Sequence, residues 1–462
     1  MPSATVPAMT TQLYPNSPAT CDAVLAAAIM PGDPDYAGAR RGFNLAIDQH
    51  PAAIAYPSTA DEVSDLVRAS RHAGLRVAVQ GGSHNPGPQG DLRDALLIRT
   101  NRMDAVEIDP EHQIARAEAG VRWEAVVNAA AEHGLAALHG SSPTVGVVGY
   151  SLGGGLSWQA RKRGLQANHV TAVELVLADG TECRVDNDHD PELLWALRGG
   201  LGNFGVVTAI EFRLFGVTEF YAGWLAWDWS YARPVLDAWA KWTRMTPDEV
   251  TTSARILQLP PLPELPESIR GRQLVVIDGA ILGDMEAAAQ LLTPLRDLAP
   301  EVDTFAATPA PALCRLHGDP EDALPYRGES AMLRELTPAA IEAFVEAAGP
   351  GSGSTLVVAE LRQLGGAVGR PVAGGVTSHF DGAYLAFALG MAADPEMAKV
   401  AASHTGGLMH SLAPWAGGRP YLNFVEHQTD VSRAFGPAAW ARLQDVRQRV
   451  DPECLFRANH VI

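Results

Sequence analysis

The chain has 462 residues, 47% of them apolar and 19% charged, with a net formal charge of −18. That length supports two or three domains around a large core, and the composition excludes global disorder. So acidic a chain repels phosphate backbones and anionic lipid, which argues against nucleic acid and membrane surfaces as partners.

The four cysteines, Cys21, Cys183, Cys314 and Cys454, are far apart and form no CxxC pair. No disulfide framework and no metal site is expected, and a reducing, cytoplasmic setting fits. No stretch reads as a signal peptide or a transmembrane span. Arg40-Arg41 is followed by no hydrophobic segment.

The first 35 residues begin rich in Pro, Ser and Thr and read as a lead-in. AAIAYP (52–57) is a strand stopped by Pro57. Thr59 and Glu62 have capping-box spacing, which predicts a helix running to Gly74. RVAVQ (76–80) is a strand entering the turn-rich GGSHNPGP loop. LLIRT, AVEIDP and QIARAEAG are further strands, the last two a hairpin pair, and WEAVVNAAAEH is an amphipathic helix. After a Gly-rich stretch (140–155), TAVELVLADGTECRV predicts a hairpin turning at Asp179-Gly180. PELLWALR is a helix and FGVVTAIEFRLF a strand. The mixture is α+β in character rather than a clean βαβ repeat.

The texture changes near 216. Residues 221–242 hold five of the ten tryptophans, Trp224, Trp227, Trp229, Trp239 and Trp242. Core packing accounts for them more readily than a ring-stacking site. Strands are expected at 274–282, 355–364 and 383–391, as in a second, sheet-containing domain. A helix, AAWARLQDVRQRV, returns near the end.

Three motif readings compete. Gly200 to Gly205 fits GxGxxG, but a helix precedes it and a strand follows, the reverse of the dinucleotide fingerprint. Gly149-Tyr150-Ser151-Leu152-Gly153 fits the hydrolase nucleophile elbow, with VGVV as the strand before it and Ser151 as nucleophile. Against that reading, Gly153-Gly154-Gly155 follows where a helix should begin. The third reading joins both Gly-rich stretches to the GGSHN loop as a cradle for a flavin nucleotide, whose pyrophosphate suits close backbone approach and N–H donors.

PAAIAYPSTADEVSDLVRASRHAGLRVAVQGGSHN, GSSPTVGVVGYSLGGGLSWQARKRGLQANHVTAVELVLADG, PELLWALRGGLGNFGVVTAIEFRLF, YLNF and DPECLFRANHVI together resemble the PCMH-type, covalent FAD-linked oxidases of the berberine bridge enzyme-like family, in the vanillyl-alcohol oxidase superfamily. The resemblance covers about half the chain and is weak over 216–404. It implies an FAD domain built from 36–215 and 405–462, with an α+β substrate domain, an antiparallel sheet covered by helices, inserted at 216–404. It also implies roles. His84 bonds the flavin, with Gly81, Gly82, Ser83 and Asn85 beside it. Ser142, Thr144, Val145, Gly146, Gly149, Tyr150, Gly153, Gly154 and Gly155 form the second FAD segment. Asn203, Gly205, Val206 and Val207 touch the adenosine side, and Asn423 and Asn459 close the site.

Many relatives have cysteine where this chain has Ser142, and serine supplies no thiolate. Attachment is therefore expected to be single, as in the branch resembling 6-hydroxy-D-nicotine oxidase. Ser83 replaces the commoner glycine of GGGH, a change expected to be harmless. Val145 stands at the family's oxygen gatekeeper, where a small side chain accompanies reaction with O2.

The resemblance implies hydride transfer from a small alcohol or amine to flavin, with O2 as acceptor. A dehydrogenase with another acceptor, a Ser151 hydrolase and a catalytically idle flavin-fold binding protein remain alternatives. The base is not evident. Phe387 and Leu156 occupy positions that are polar in some relatives. The remaining candidates are Tyr421, Arg362, Gln363 and His379; of the adjacent pair Arg362 and Gln363, only one can face a pocket. Nothing in the sequence fixes the oligomeric state.

Overall fold

Thr59 Oγ1 accepts the Glu62 N–H at 3.2 Å, while Glu62 reaches back to the Ser58 N–H at 2.7 Å. These bonds satisfy free donors at the start of helix Ala60–Ala73, which Gly74 ends at φ 70. The helix buries Val63, Leu66 and Val67 on a small parallel sheet. The sheet has the order β1-β3-β2, from β1 (Ala53–Ala55), β2 (Arg76–Gln80) and β3 (Ala95–Arg99). β3 lies in the middle and is buried throughout, as its unbroken apolar run ALLI requires.

The computed structural model describes residues 18–263, 267 and 269–462. Residues 1–17 of the expected lead-in, and 264–266 of a Pro-rich stretch, lie outside the described residues. Val24 and Leu25, in helix Pro18–Ala26, pack on the same core as Val63 and Val67, and Ile29 bridges Ile54.

A second, antiparallel sheet follows in the order β4-β5-β8-β6-β7. Its strands are β4 (Val106–Asp109), β5 (Ile114–Glu118), β6 (Val170–Val176), β7 (Glu182–Val185) and β8 (Val206–Arg213). Both expected hairpins, β4 with β5 and β6 with β7, are formed.

Residues 219–391 build an eight-stranded antiparallel sheet. Its central order runs β9 (Glu219–Asp228), β11 (Gln273–Ile281), β10 (Val250–Gln258), β15 (Val358–Gln363), β16 (Tyr384–Met391) and β14 (Tyr326–Leu333), and two short strands, β12 (Val302–Asp303) and β13 (Ala306–Pro309), pair with β9. Helices Ala232–Thr243, Pro338–Ala348 and Pro395–Ser411 cover one face. Leu236, Trp239, Phe344 and Leu408 interdigitate there with Ile256, Ile277, Leu361 and Ala386. The last of these helices runs across the expected boundary at 404 and buries Leu408 in this core, so the inserted layer extends to 411. Trp227, Trp239 and Trp242 are core residues, whereas Trp224 lies on the other face of the sheet.

The C-terminal tail then returns to the first domain. Asn203 was expected at the adenosine, but it is fully buried and holds this tail instead. Its Nδ2 donates to the carbonyls of Gly200 and His460 at 3.0 and 2.9 Å, and its Oδ1 accepts the Ile462 N–H at 3.1 Å. Removing one partner leaves buried polar groups unsatisfied. Asn203→Ala should therefore destabilise the chain by roughly 2–3 kcal/mol, read as a lower urea midpoint at unchanged slope; a midpoint within error of the native protein would show that the tail is held by other contacts.

Candidate functional site

Between the two smaller sheets and the uncovered face of the eight-stranded sheet lies a cavity of about 930 Å³. That is near the upper end of the size of small-molecule sites. The first Gly-rich loop enters it with Gly81, Gly82, Ser83, His84 and Asn85, and the second with Ser142, Val145, Gly146, Gly149 and Tyr150. Gly205, Val207, Asn423 and Asn459 also line it.

The two loops touch backbone to backbone. A Cβ on Gly82 would stand 2.8 Å from the Gly146 nitrogen, so only glycine permits the contact. Ser83 adopts φ 54, a conformation that costs a non-glycine residue roughly 1–2 kcal/mol. Its hydroxyl offsets part of this by donating to Gln80 Oε1 at 3.1 Å and accepting from the buried Arg99 guanidinium. The serine is thus engaged in a buried polar network, more than the neutral replacement expected.

His84 is the centre of the site. Its Nε2 lies 3.0 Å from Thr144 Oγ1, and its ring stacks on Phe43 at 3.8 Å and 15°. The Tyr326 hydroxyl donates to its carbonyl at 3.0 Å. Burial is the largest effect on the imidazole and lowers its pKa to about 4; Asp319 and Thr144 oppose this only in part. The ring is therefore neutral at pH 7, the form that can act as a nucleophile.

Several expected contacts are made otherwise. Thr144 reaches the site only through His84 and Ser142, whose hydroxyl is 3.1 Å away. Gly153, Gly154 and Gly155 do not line the cavity but clear space for its wall. A Cβ on Gly153 would stand 1.8 Å from Asn423 Oδ1, and one on Gly155 would stand 2.5 Å from the Tyr150 ring. Val206 faces the core beneath the first sheet, as its neighbour Val207 turns the opposite way. Asn423 donates to the Tyr150 carbonyl and the Tyr421 hydroxyl at 3.0 and 3.1 Å.

The elbow reading fails. Val147–Leu152 is a helix rather than a strand, and Ser151 lies in it fully buried, its hydroxyl hydrogen-bonded to nothing. The GxGxxG stretch closes helix Pro191–Leu197 and opens β8, as its order implied.

Of the four base candidates, Tyr421 and Arg362 reach the cavity. Gln363 points through the sheet, donating to Thr243 O and Thr246 Oγ1 and accepting from Thr252 Oγ1. His379 lies outside the cavity, 3.1 Å from Asp381. Burial pushes Tyr421 up to about 12, with Asn423 and Arg362 opposing, so its phenol stays protonated and is no base at neutral pH.

Sequence reading missed Phe43, which carries no motif, and the titratable side chains Arg255, His317, Asp319, Glu360 and Glu426 of the cavity wall. The alternation of β15 could have shown Glu360, two residues before Arg362 and on the same face. Burial raises Glu426 to about 8, so this wall residue is mostly neutral at pH 7.

Two buried polar atoms of cavity residues, Asn85 Oδ1 and the Tyr150 hydroxyl, have no hydrogen-bond partner. A nucleotide with polar edges fits that requirement, and the paired glycines fit its close approach.

Residues 51–186 match the family model of the FAD binding domain. The chain carries an FAD binding domain. The (R)-6-hydroxynicotine oxidase of Paenarthrobacter nicotinovorans is 35% identical over 180 residues, 39% of each chain. Two solved structures show the same fold over the whole molecule. The berberine bridge enzyme-like protein 1 of Physcomitrella patens, as a variant, aligns at a TM-score of 0.82 with 21% identity, covering 96% of this chain and 98% of that one. A glucooligosaccharide oxidase from Acremonium strictum, described as carrying a 6-S-cysteinyl, 8α-N1-histidyl FAD, aligns at 0.80 with 21% identity over 96% and 99%. Matches to curated relatives span 27% to 58% of those proteins' own length. The fold is thus that of the FAD-linked, berberine bridge enzyme-like oxidases.

Among the described residues no helix is long and apolar enough to cross a membrane.

The histidines of this FAD domain set a pH dependence. His84, His139 and His460 are each lowered to about 4, burial being the largest cause. Their ordinary value is near 6.5, so between these values the unfolded chain binds more protons and stability falls as pH falls. The urea midpoint should drop from pH 7 to pH 5, and His139→Gln should flatten that drop. An equal drop in the variant would remove His139 from this account.

Proposed function

We propose that the protein is an FAD-dependent oxidoreductase acting as an oxidase. It holds its flavin by one bond through His84 and oxidises a small alcohol or amine with O2 as acceptor. The observation that carries the reading is the state of His84: a neutral imidazole on a cavity wall, oriented on both faces of its function. Thr144 occupies Nε2 and Phe43 fixes the ring plane, which leaves Nδ1 as the nitrogen free to bond. The histidyl-N1 linkage named for the glucooligosaccharide oxidase from Acremonium strictum supports this choice. Ser142 stands on the cavity without a thiol, so one covalent bond is the number available.

When bound, FAD supplies the acceptor for a hydride taken from the substrate carbon. The chain's own residues do the rest. Gly82 and Gly146 let backbone approach the nucleotide, the Tyr421 hydroxyl, held by Asn423, presents a hydrogen-bond donor, and Phe387, Phe424 and Leu156 exclude water from the reaction space. Val145 lies on the cavity with only a small side chain, which supports access of O2.

The purified protein should be yellow, and its colour should stay with the polypeptide after acid precipitation. His84→Ala should release the colour to the supernatant, and colourless native protein would end the proposal. Thr144→Val should slow covalent attachment without preventing noncovalent binding. In Val145→Leu the reduced flavin should reoxidise in air more slowly than in the native protein; sluggish native reoxidation would favour the dehydrogenase reading instead.

A further inference from the structure

The substrate-side wall of the cavity is built from one face of the large sheet. β15 pairs antiparallel with β10 and β16, so that Glu360 stands opposite Arg255 on one side and Phe387 on the other. Directly opposite residues in an antiparallel sheet share a face. Arg255, Glu360, Arg362 and Phe387 therefore all face the cavity, while Ala359 and Leu361 face the helices.

Glu360 is 1% exposed, and its Oε1 accepts no hydrogen bond of acceptable geometry. Arg362 Nε stands 2.7 Å from that oxygen and His317 Nε2 stands 3.4 Å from it. Behind them, Asp278 is gripped by Arg255 at 2.6 Å, by Ser253 at 2.7 Å and by His317 Nδ1 at 2.7 Å. The network thus fixes the place of a buried carboxylate and leaves hydrogen-bonding capacity on it unused.

We propose that Glu360 is the catalytic base, the carboxylate that takes the hydroxyl or amine proton of the substrate. The proposal rests on the flavin oxidase reading. In the step, the substrate O–H bond breaks and its proton passes to Glu360. The neighbouring C–H bond breaks, its hydrogen passing with the electron pair as hydride to the oxidised flavin, and a carbonyl forms. Glu360 then returns the proton to solvent. An amine follows the same balance to an imine.

The other titratable groups facing this space are less suited. Tyr421 keeps its proton to about pH 12 and Glu426 to about pH 8. Arginine has no basic form in range. Burial and Arg255 disfavour charge on His317, but Asp278, Glu360 and Asp319 outweigh them and raise it to about 9, so it is cationic at pH 7. Asp319 lies half-buried at the rim and accepts from Ser141. Burial raises Glu360, but Arg362, His317 and Arg255 together hold it well below the usual carboxylate range, so it is ionised throughout. That weakens its proton affinity. The loss is tolerable, because the hydroxyl becomes strongly acidic as hydride leaves, and a base already in its ionised form is what the step requires.

The test uses holoenzyme and 4-nitrophenol, a hydroxyl donor whose ionisation is visible by absorbance. Wild type should bind the un-ionised phenol. Glu360→Leu should weaken that binding at least about tenfold, and Glu360→Gln, which keeps an acceptor, should stay within about threefold. Absence of wild-type binding, binding as phenolate, or equal binding by the Leu variant would overturn the proposal. In the same proteins, flavin content after acid precipitation reports folding and attachment separately. With whichever alcohol of a panel reduces wild type fastest, Glu360→Gln should slow anaerobic flavin reduction about 10²–10⁴-fold at unchanged flavin content; a wild-type rate in that variant would overturn the assignment. Yellow protein reduced by no alcohol or amine would sink the oxidase reading, while the phenol arm still judges Glu360.

Discussion

The site depends on the convergence of three distant chain segments on one imidazole. Phe43 comes from the chain ahead of the first sheet, Thr144 from the second Gly-rich loop, and Tyr326 from the first residue of β14. Each fixes a different degree of freedom of His84: ring plane, tautomer-determining contact and backbone position. A histidine needs all three to present one nitrogen to a ligand, because the ring has two. The glycine contact between residues 82 and 146 sets how closely the loops bearing His84 and Thr144 can approach. Any side chain there would separate the histidine from the group that orients it.

The two walls of the cavity solve opposite electrostatic problems. The FAD-side wall keeps His84 neutral by burying it with little compensating charge. The substrate-side wall keeps charges by pairing them, since desolvation of each ion costs several kcal/mol unless partners are close. Asp278 and Glu360 stay ionised although buried, because Arg255, His317 and Arg362 surround them. One cavity therefore presents an uncharged imidazole on one side and fixed charge on the other.

Much of the FAD side was legible in the sequence, for a physical reason. Its loops follow strands with clear turn residues, so His84 and Val145 reach the cavity through local geometry. The capping box at Thr59 and the hairpin at Asp179-Gly180 are local as well. The rest was set by contacts between residues far apart in the chain. Gly153 reads as a nucleotide-binding glycine, yet it serves Asn423, which lies 270 residues on. Asn203 reads as a ligand contact, yet its partners are at the C-terminus. Tyr421 does reach the cavity, but its burial, invisible in sequence, removes its basicity. Gln363 and Arg362 were separable only by knowing which face of β15 the helices cover.

That face also explains why the charged wall is more than a structural device. Well-packed apolar residues in place of a buried ionic network are often neutral or stabilising, and the opposite face of the same strands shows the sheet supporting such a core, with Leu361 and Ile277 fully or nearly fully buried. A stability requirement alone would therefore not call for Arg255, Asp278, Glu360 and Arg362 on one face of the sheet, with His317 against them. The charges are concentrated where β10 and β15 meet the cavity, with Asp278 of β11 behind them, and Phe387 and Phe424 line the same space. Strongly shifted titratable groups with specific charge partners, gathered in a cleft, are candidates for a functional site. The cost of burying these charges is best understood as the cost of holding one carboxylate ionised, oriented and dry beside the reacting bond.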